Sequence, residues 1–149
     1  MKMAHTITLS VFIRPGEDEE SVRQALISLV PLELEKEKVN LRRTVAKANI
    51  SGQSDIVIYE IVLEKERHTR QFIDFLKSRL SAGQKRELAS QENRVDDECC
   101  FYMRLDKQKL LSGEYGLTDG GDCFHVRMSI AAYPKKREEA LAVVRKIFQ

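Results

Sequence analysis

Two stretches in the C-terminal half set aromatic and basic side chains on one side of an alternating pattern. Between 99 and 105 the alternation puts Phe101, Met103 and Leu105 on one face, with Cys100, Tyr102 and Arg104 on the other. Between 123 and 132 it turns Phe124, Val126, Met128 and Ile130 one way and Cys123, His125, Arg127 and Ser129 the other. The apolar sets are expected in the core. Where two such strands pair, Tyr102 and Arg104 neighbour His125 and Arg127, and that combination can hold RNA: a ring or guanidinium plane stacks on a base while positive charge holds phosphate. A merely solvated strand face carries such residues too.

A second basic group, Lys135-Lys136-Arg137, follows Pro134 at the predicted start of a helix, the end where the backbone dipole is already positive. A phosphate there would accept hydrogen bonds from free N–H groups and pair with the side chains. Glu138 and Glu139 follow at once and could neutralise the cluster instead. Lys107, three residues after Arg104, joins the basic set as a candidate RNA contact.

Other chemistries have weaker claims. Asp106, Asp119 and Asp122 raise the possibility of a carboxylate cage for Mg²⁺ and hence of a small metal-dependent nuclease. Asp119-Gly120-Gly121-Asp122 also reads as a tight turn, whose glycines can take positive φ. Cys99, Cys100, Cys123 and His125 do not have the spacing of a zinc knuckle, and neighbouring strand residues point to opposite faces. With three histidines, no Gly-x-Ser-x-Gly elbow and no Gly-rich phosphate loop, neither an acyl-transfer triad nor a nucleotide-hydrolysing site is supported. No catalytic residue, metal or cofactor is expected.

The elements that must position these residues can be read from periodicity. Residues 5–14 alternate with Ile7, Leu9, Val11 and Ile13 on one face and Thr6, Thr8, Ser10 and Phe12 on the other, ending at Pro15-Gly16. A helix over 17–30 buries Val22, Ala25, Leu26 and Leu29. A weaker strand carries Val39, Leu41 and Val45, a turn over 49–54 makes a hairpin, and the nearly continuous apolar run 55–63 reads as a strand buried on both faces. A helix over 67–80 has Phe72, Ile73, Leu76 and Leu80 as its stripe. The polar segment 84–94 reads as a helix and, with Leu88 as its one large apolar residue before Val95, is expected to lie on the surface with few contacts. After the strand at 99–105 come a helical turn over 106–111, a short strand over 115–118, the strand at 123–132 and a helix over 135–148. Interleaved helices and hairpin-linked strands make the class α+β, a mainly antiparallel sheet flanked by helices.

Length and composition bound the rest. A chain of 149 residues with 42% hydrophobic and 32% charged side chains supports one core, so residues 1–149 are expected to form a single domain. A net charge of +2 is far from the excess of a histone-like coat of nucleic acid, so any basic surface is local. The N-terminus lacks the apolar stretch of a secretory signal and no apolar run approaches twenty residues, which points to the cytoplasm and to no membrane span. The three cysteines read as free thiols.

The residues Arg104-Leu105-Asp106-Lys107-Gln108, Asp119-Gly120-Gly121-Asp122 and Ala132 to Glu138 resemble the signature of a small archaeal family of RNA-binding proteins, predicted exosome subunits. Val11-Phe12-Ile13, Glu17 to Val22, Ala25-Leu26 and Pro31 resemble it as well, so the likeness runs nearly the whole chain. It implies a fold similar to that of the ribosomal protein that binds 5S rRNA, and a non-catalytic RNA-binding role in archaeal RNA processing or degradation, with exosome or ribosome-related proteins as partners. The cysteines depart from the family pattern, which further weakens a zinc site. The competing reading from another class is a protein-interaction or assembly subunit without RNA contact, for which the sheet face or an apolar edge strand is the contact.

Overall fold

The computed structural model describes residues 2–47 and 55–149. The expected turn over 49–54 falls outside them. The elements run β1 (Ala4–Ile13), α1 (Glu19–Ser28), β2 (Leu41–Ala46), β3 (Ile56–Leu63), α2 (Glu66–Arg79), α3 (Ala82–Ser90), a 3-10 turn at Glu92–Arg94, β4 (Cys100–Asp106), α4 (Lys107–Leu111), β5 (Cys123–Ile130) and α5 (Arg137–Phe148). The five strands form one sheet in the order β2-β3-β1-β5-β4, and every pairing is antiparallel. The fold is α+β, an antiparallel sheet flanked by helices. No described helix is long and apolar enough to cross a membrane.

The period-two alternation decides which face is buried. Ile7, Leu9 and Val11 of β1 stand opposite Leu63, Ile61 and Tyr59 of β3 and opposite Met128, Val126 and Phe124 of β5. Phe101, Met103 and Leu105 of β4 continue the same rows. All of these are buried, and they pack against Val22, Ala25 and Leu26 of α1, Phe72 and Leu76 of α2 and Leu141, Val144 and Phe148 of α5 in one apolar cluster. The expected core set Phe101, Met103, Phe124, Val126 and Met128 is therefore buried, and Tyr102, Arg104, His125 and Arg127 lie on the opposite face.

Four local expectations need correction. β3 is buried on one face only: Tyr59, Ile61 and Leu63 enter the core while Ile58, Glu60 and Val62 are half-buried on the other, because the core and its helices lie on one side of the sheet. Residues 115–118 form no strand, contributing a single bridge between Leu117 and Leu105. The polar segment is not free of contacts, since Leu88 is fully buried and α3 packs against α5. Its helix begins at Ala82 rather than 84, capped by Ser81, whose hydroxyl accepts from the Gln84 backbone N–H while the Gln84 side chain accepts from the Ser81 N–H, a reciprocal cap. Finally, Gly120 and Gly121 do not need positive φ; the described glycines that adopt it are Gly16 and Gly113.

Candidate functional site

The face of the sheet away from the core is where the outward residues meet. Register places Arg42, Glu60, Ser10, His125 and Arg104 in one row across all five strands. The adjacent row carries Val62, Thr8, Arg127 and Tyr102. The expected neighbours Tyr102, Arg104, His125 and Arg127 are thus brought together as two cross-strand pairs, Tyr102 with Arg127 and Arg104 with His125.

Each is held by specific contacts. The Tyr102 hydroxyl donates to Asp96 Oδ2 at 3.0 Å, and the Arg127 guanidinium lies 5.9 Å from the Tyr102 ring centroid, within cation–π reach. Arg127 Nη2 also donates to Cys100 Sγ at 3.5 Å, a contact that raises its already high pKa. Asp96 Oδ1 accepts the backbone N–H groups of Glu98 and Cys100, and chiefly the Cys100 bond holds this carboxyl below its usual range. Burial and the bond to Asp96 push the Tyr102 phenol up, so it stays neutral. Arg104 Nη1 donates to the carbonyls of Asp119 and Gly120. Burial, and then the Arg104 charge, hold His125 below the ordinary histidine range, so at neutral pH it presents an uncharged ring.

Phe12, at the end of β1, is the residue that sequence reasoning passed over. Its ring is 47% exposed and lies 5.6 Å from that of His125, tilted by 49°. A phenylalanine in series with Thr6, Thr8 and Ser10 on a polar face is the signal that could have marked it. Tyr133, 95% exposed two residues before Lys135, is a second aromatic outside the expected contact set.

The remaining basic candidates are placed differently. Lys107 is not on this face. It is 2% exposed, and its Nζ donates to the Phe12 carbonyl at 2.8 Å and to Glu17 at 3.1 Å and pairs with Asp122 Oδ1 at 3.0 Å, so its charge is used inside the protein and it leaves the set of RNA contacts. The final helix begins at Arg137 rather than Lys135. Arg137 Nε and Nη2 donate to the carbonyls of Val95 and Glu92, so this guanidinium fastens α5 to the 3-10 turn instead of facing a ligand. Lys135 and Lys136 remain exposed, with Lys135 3.9 Å from Glu98 at the end of the sheet where β4 starts.

The acidic and thiol candidates do not converge. Asp106 caps α4 by accepting the Lys109 N–H, Asp122 pairs with Lys107, and Asp119 offers its carbonyl to Arg104. Cys99 is buried in the core cluster, Cys100 meets Arg127, and Cys123 lies 3.6 Å from His125. Among the described residues no three His, Cys, Asp or Glu side chains are grouped as a metal would need.

A family model described as RNA binding matches residues 6–130. An RNA-binding protein of Pyrococcus abyssi is 33% identical over 143 residues, covering 95% of this chain and 92% of its own. The solved structure of a DUF54 protein from Methanothermobacter thermautotrophicus is 31% identical, covers 99% of both chains and superposes with a TM-score of 0.77. Another DUF54 structure, from Archaeoglobus fulgidus, is 29% identical over the whole of both chains with a TM-score of 0.81.

Proposed function

The chain belongs to the RNA-binding family whose model spans its residues 6–130, and from that premise we propose that it holds RNA on the open face of its sheet without cleaving it. The observation that carries this reading is the register, which gathers Tyr102, Arg104, His125 and Arg127 from β4 and β5 on the side opposite the core, with the ring of Phe12 from β1 5.6 Å from that of His125. Rings for bases and guanidiniums for phosphates lie side by side there, as a sheet that binds nucleic acid requires. Lys135 and Lys136, with the exposed Tyr133 beside them, extend the basic surface at the end where β4 starts. The whole chain acts as one RNA-binding domain. Its setting is archaeal RNA processing or degradation, with exosome or ribosome-related proteins as partners, in keeping with the family resemblance and with a fold akin to the ribosomal protein that binds 5S rRNA.

Crosslinking of the protein to cellular RNA, followed by sequencing, tests the reading. The wild-type chain is expected to recover RNA, and the Arg104→Ala/Arg127→Ala variant to recover much less. RNA incubated with the protein and Mg²⁺ or Mn²⁺ is expected to stay intact. Protein recovered without RNA would favour the protein-interaction reading, in which the open sheet face or the β2 edge, where Val45 is exposed, is the contact.

A further inference from the structure

Resting on that reading, the geometry points to a narrower ligand: single-stranded RNA, with at least two bases splayed apart, one stacked at Phe12–His125 and the next at Tyr102–Arg127. The inference starts from strand pitch. His125 and Arg127 are two residues apart on β5 and face the same side, so their side chains are set about 6.6 Å apart at roughly 3.3 Å per residue. Nucleotides stacked in a helix follow one another at about 3.4 Å per strand. That distance is about two stacking steps, and a base inside a duplex has both faces covered by its neighbours, so only a strand whose bases have come apart can place one on each position.

The chemistry of the two positions fits bases rather than phosphates. Phe12 is an exposed ring with no polar atom, and its neighbour His125 is held neutral by burial and by Arg104. Their combined surface gains from an aromatic ligand and offers little to an anion. At the second position Tyr102 is 42% exposed and fixed through its hydroxyl to Asp96, while Arg127 lies beside its ring, an arrangement that can stack a base and contact its phosphate. Arg104, next to His125 in the adjacent strand, supplies charge for the backbone between them. Glu60, in the same row on the far side of Ser10, stands opposite Arg42 of β2, so those two charges offset each other and the row's remaining cation is Arg104 on β4. Charge thus favours one strand passing over β5 and β4.

The test is direct binding, by fluorescence anisotropy, of a labelled uridine-rich single-stranded octamer and of the same sequence closed in a blunt duplex. The single strand is expected to bind at least tenfold more tightly. Phe12→Ala is expected to weaken single-strand binding by about five- to a hundredfold, the range that loss of one stacked base gives. Phe12→Trp is expected to restore it, and neither change to alter duplex binding. Because Phe12 is half exposed, circular dichroism and the thermal midpoint should show both variants folded. Equal binding of duplex and single strand with no effect of Phe12→Ala would overturn the splayed-base inference and leave RNA binding by this face standing. Binding of neither probe by the wild-type chain would overturn both.

Discussion

Lys107 shows how one buried charge can organise a molecule from a position that reads as a surface residue. Its ammonium ties the end of β1 through the Phe12 carbonyl, the loop before α1 through Glu17, and the start of β5 through Asp122. Removing it leaves two carboxylates facing each other and a carbonyl without its donor, and breaking a buried ion pair from one side costs about 3–5 kcal/mol. Glu17 and Asp122 keep contact with water, so Lys107→Ala should fall at the low end, about 3 kcal/mol, read as a lowered urea midpoint with an unchanged slope. A loss below about 1 kcal/mol would show the triad to be no more than a surface pair. The sequence could not reveal this role. Lys107 sits just past an alternating strand, and its two carboxylate partners come from segments 90 and 15 positions away. Tyr102, Arg104, His125 and Arg127, in contrast, were legible because a period of two fixes the face of every residue once one apolar set is known to be buried. Phe12 was legible as to face but not as to role, since an apolar ring among threonines is ordinary until its neighbours are seen.

At the scale of elements, alternation and helical stripes located the strands and helices, with one strand too many at 115–118, but not what covers them. The run at 55–63 reads as buried on both faces, yet nothing in a strand's own sequence tells how many sides of the sheet the helices occupy, and the open face survives with Ile58 and Val62 half-buried. Likewise the lone leucine of 84–94 gives too weak a stripe to betray that α3 packs on α5. The edge strand β2 is tied back by a different device: Arg43 donates to both Glu19 oxygens and the Tyr59 hydroxyl donates to the same carboxylate, linking β2 and β3 to α1. The connection into β2 carries a strained residue that offers a test. Lys38 has φ of 57°, a left-handed conformation that costs a side-chain-bearing residue about 1–2 kcal/mol, and it is exposed. Lys38→Gly should therefore raise stability by about 0.5–1 kcal/mol once the added freedom of the unfolded chain is subtracted. A lowered denaturation midpoint would mean that the lysine side chain makes a contact worth more than its backbone strain.

For the molecule as a whole, acid sensitivity follows from three carboxylates held below their ordinary range: Glu19 by Arg43 and Tyr59, Asp96 chiefly by the Cys100 N–H, and Asp122 chiefly by Lys107. Each is lower in the folded chain than in the unfolded one, so each stabilises the fold above its unfolded value and loses that contribution as pH falls through its folded value. The unfolded values are 4.5 for the glutamate and 3.8 for the aspartates, and the depressed His125 adds an earlier loss that begins as pH falls below its unfolded value of 6.5, so the urea midpoint should ease down from about pH 6.5 and drop steeply below about 4. Asp122→Asn should lower the neutral plateau and make the acid drop shallower.

Binding at the same scale is governed by where the charge lies, because a net charge of +2 gives little long-range attraction to a polyanion. Each lysine or arginine that neutralises a phosphate releases condensed counterion, so affinity for single-stranded RNA should fall with salt at a log–log slope of about −0.7 per contact. Arg104, Arg127, Lys135 and Lys136 together would give a slope near −3, from roughly four contacts at that value each. The variant that isolates the basic end is Lys135→Ala/Lys136→Ala, with Arg137 left in place because its bonds to Val95 and Glu92 belong to the fold. It should flatten the slope by about one and a half units. Its stability should match the wild type, since both lysines are exposed and the Lys135–Glu98 pair at 3.9 Å is a surface one. Phe12→Ala, by removing stacking and no charge, should weaken binding at every salt concentration and leave the slope where it was. An unchanged slope in the double lysine variant would confine phosphate contact to Arg104 and Arg127, and a slope near zero in the wild-type chain would mean that the open face takes a partner other than a polyanion.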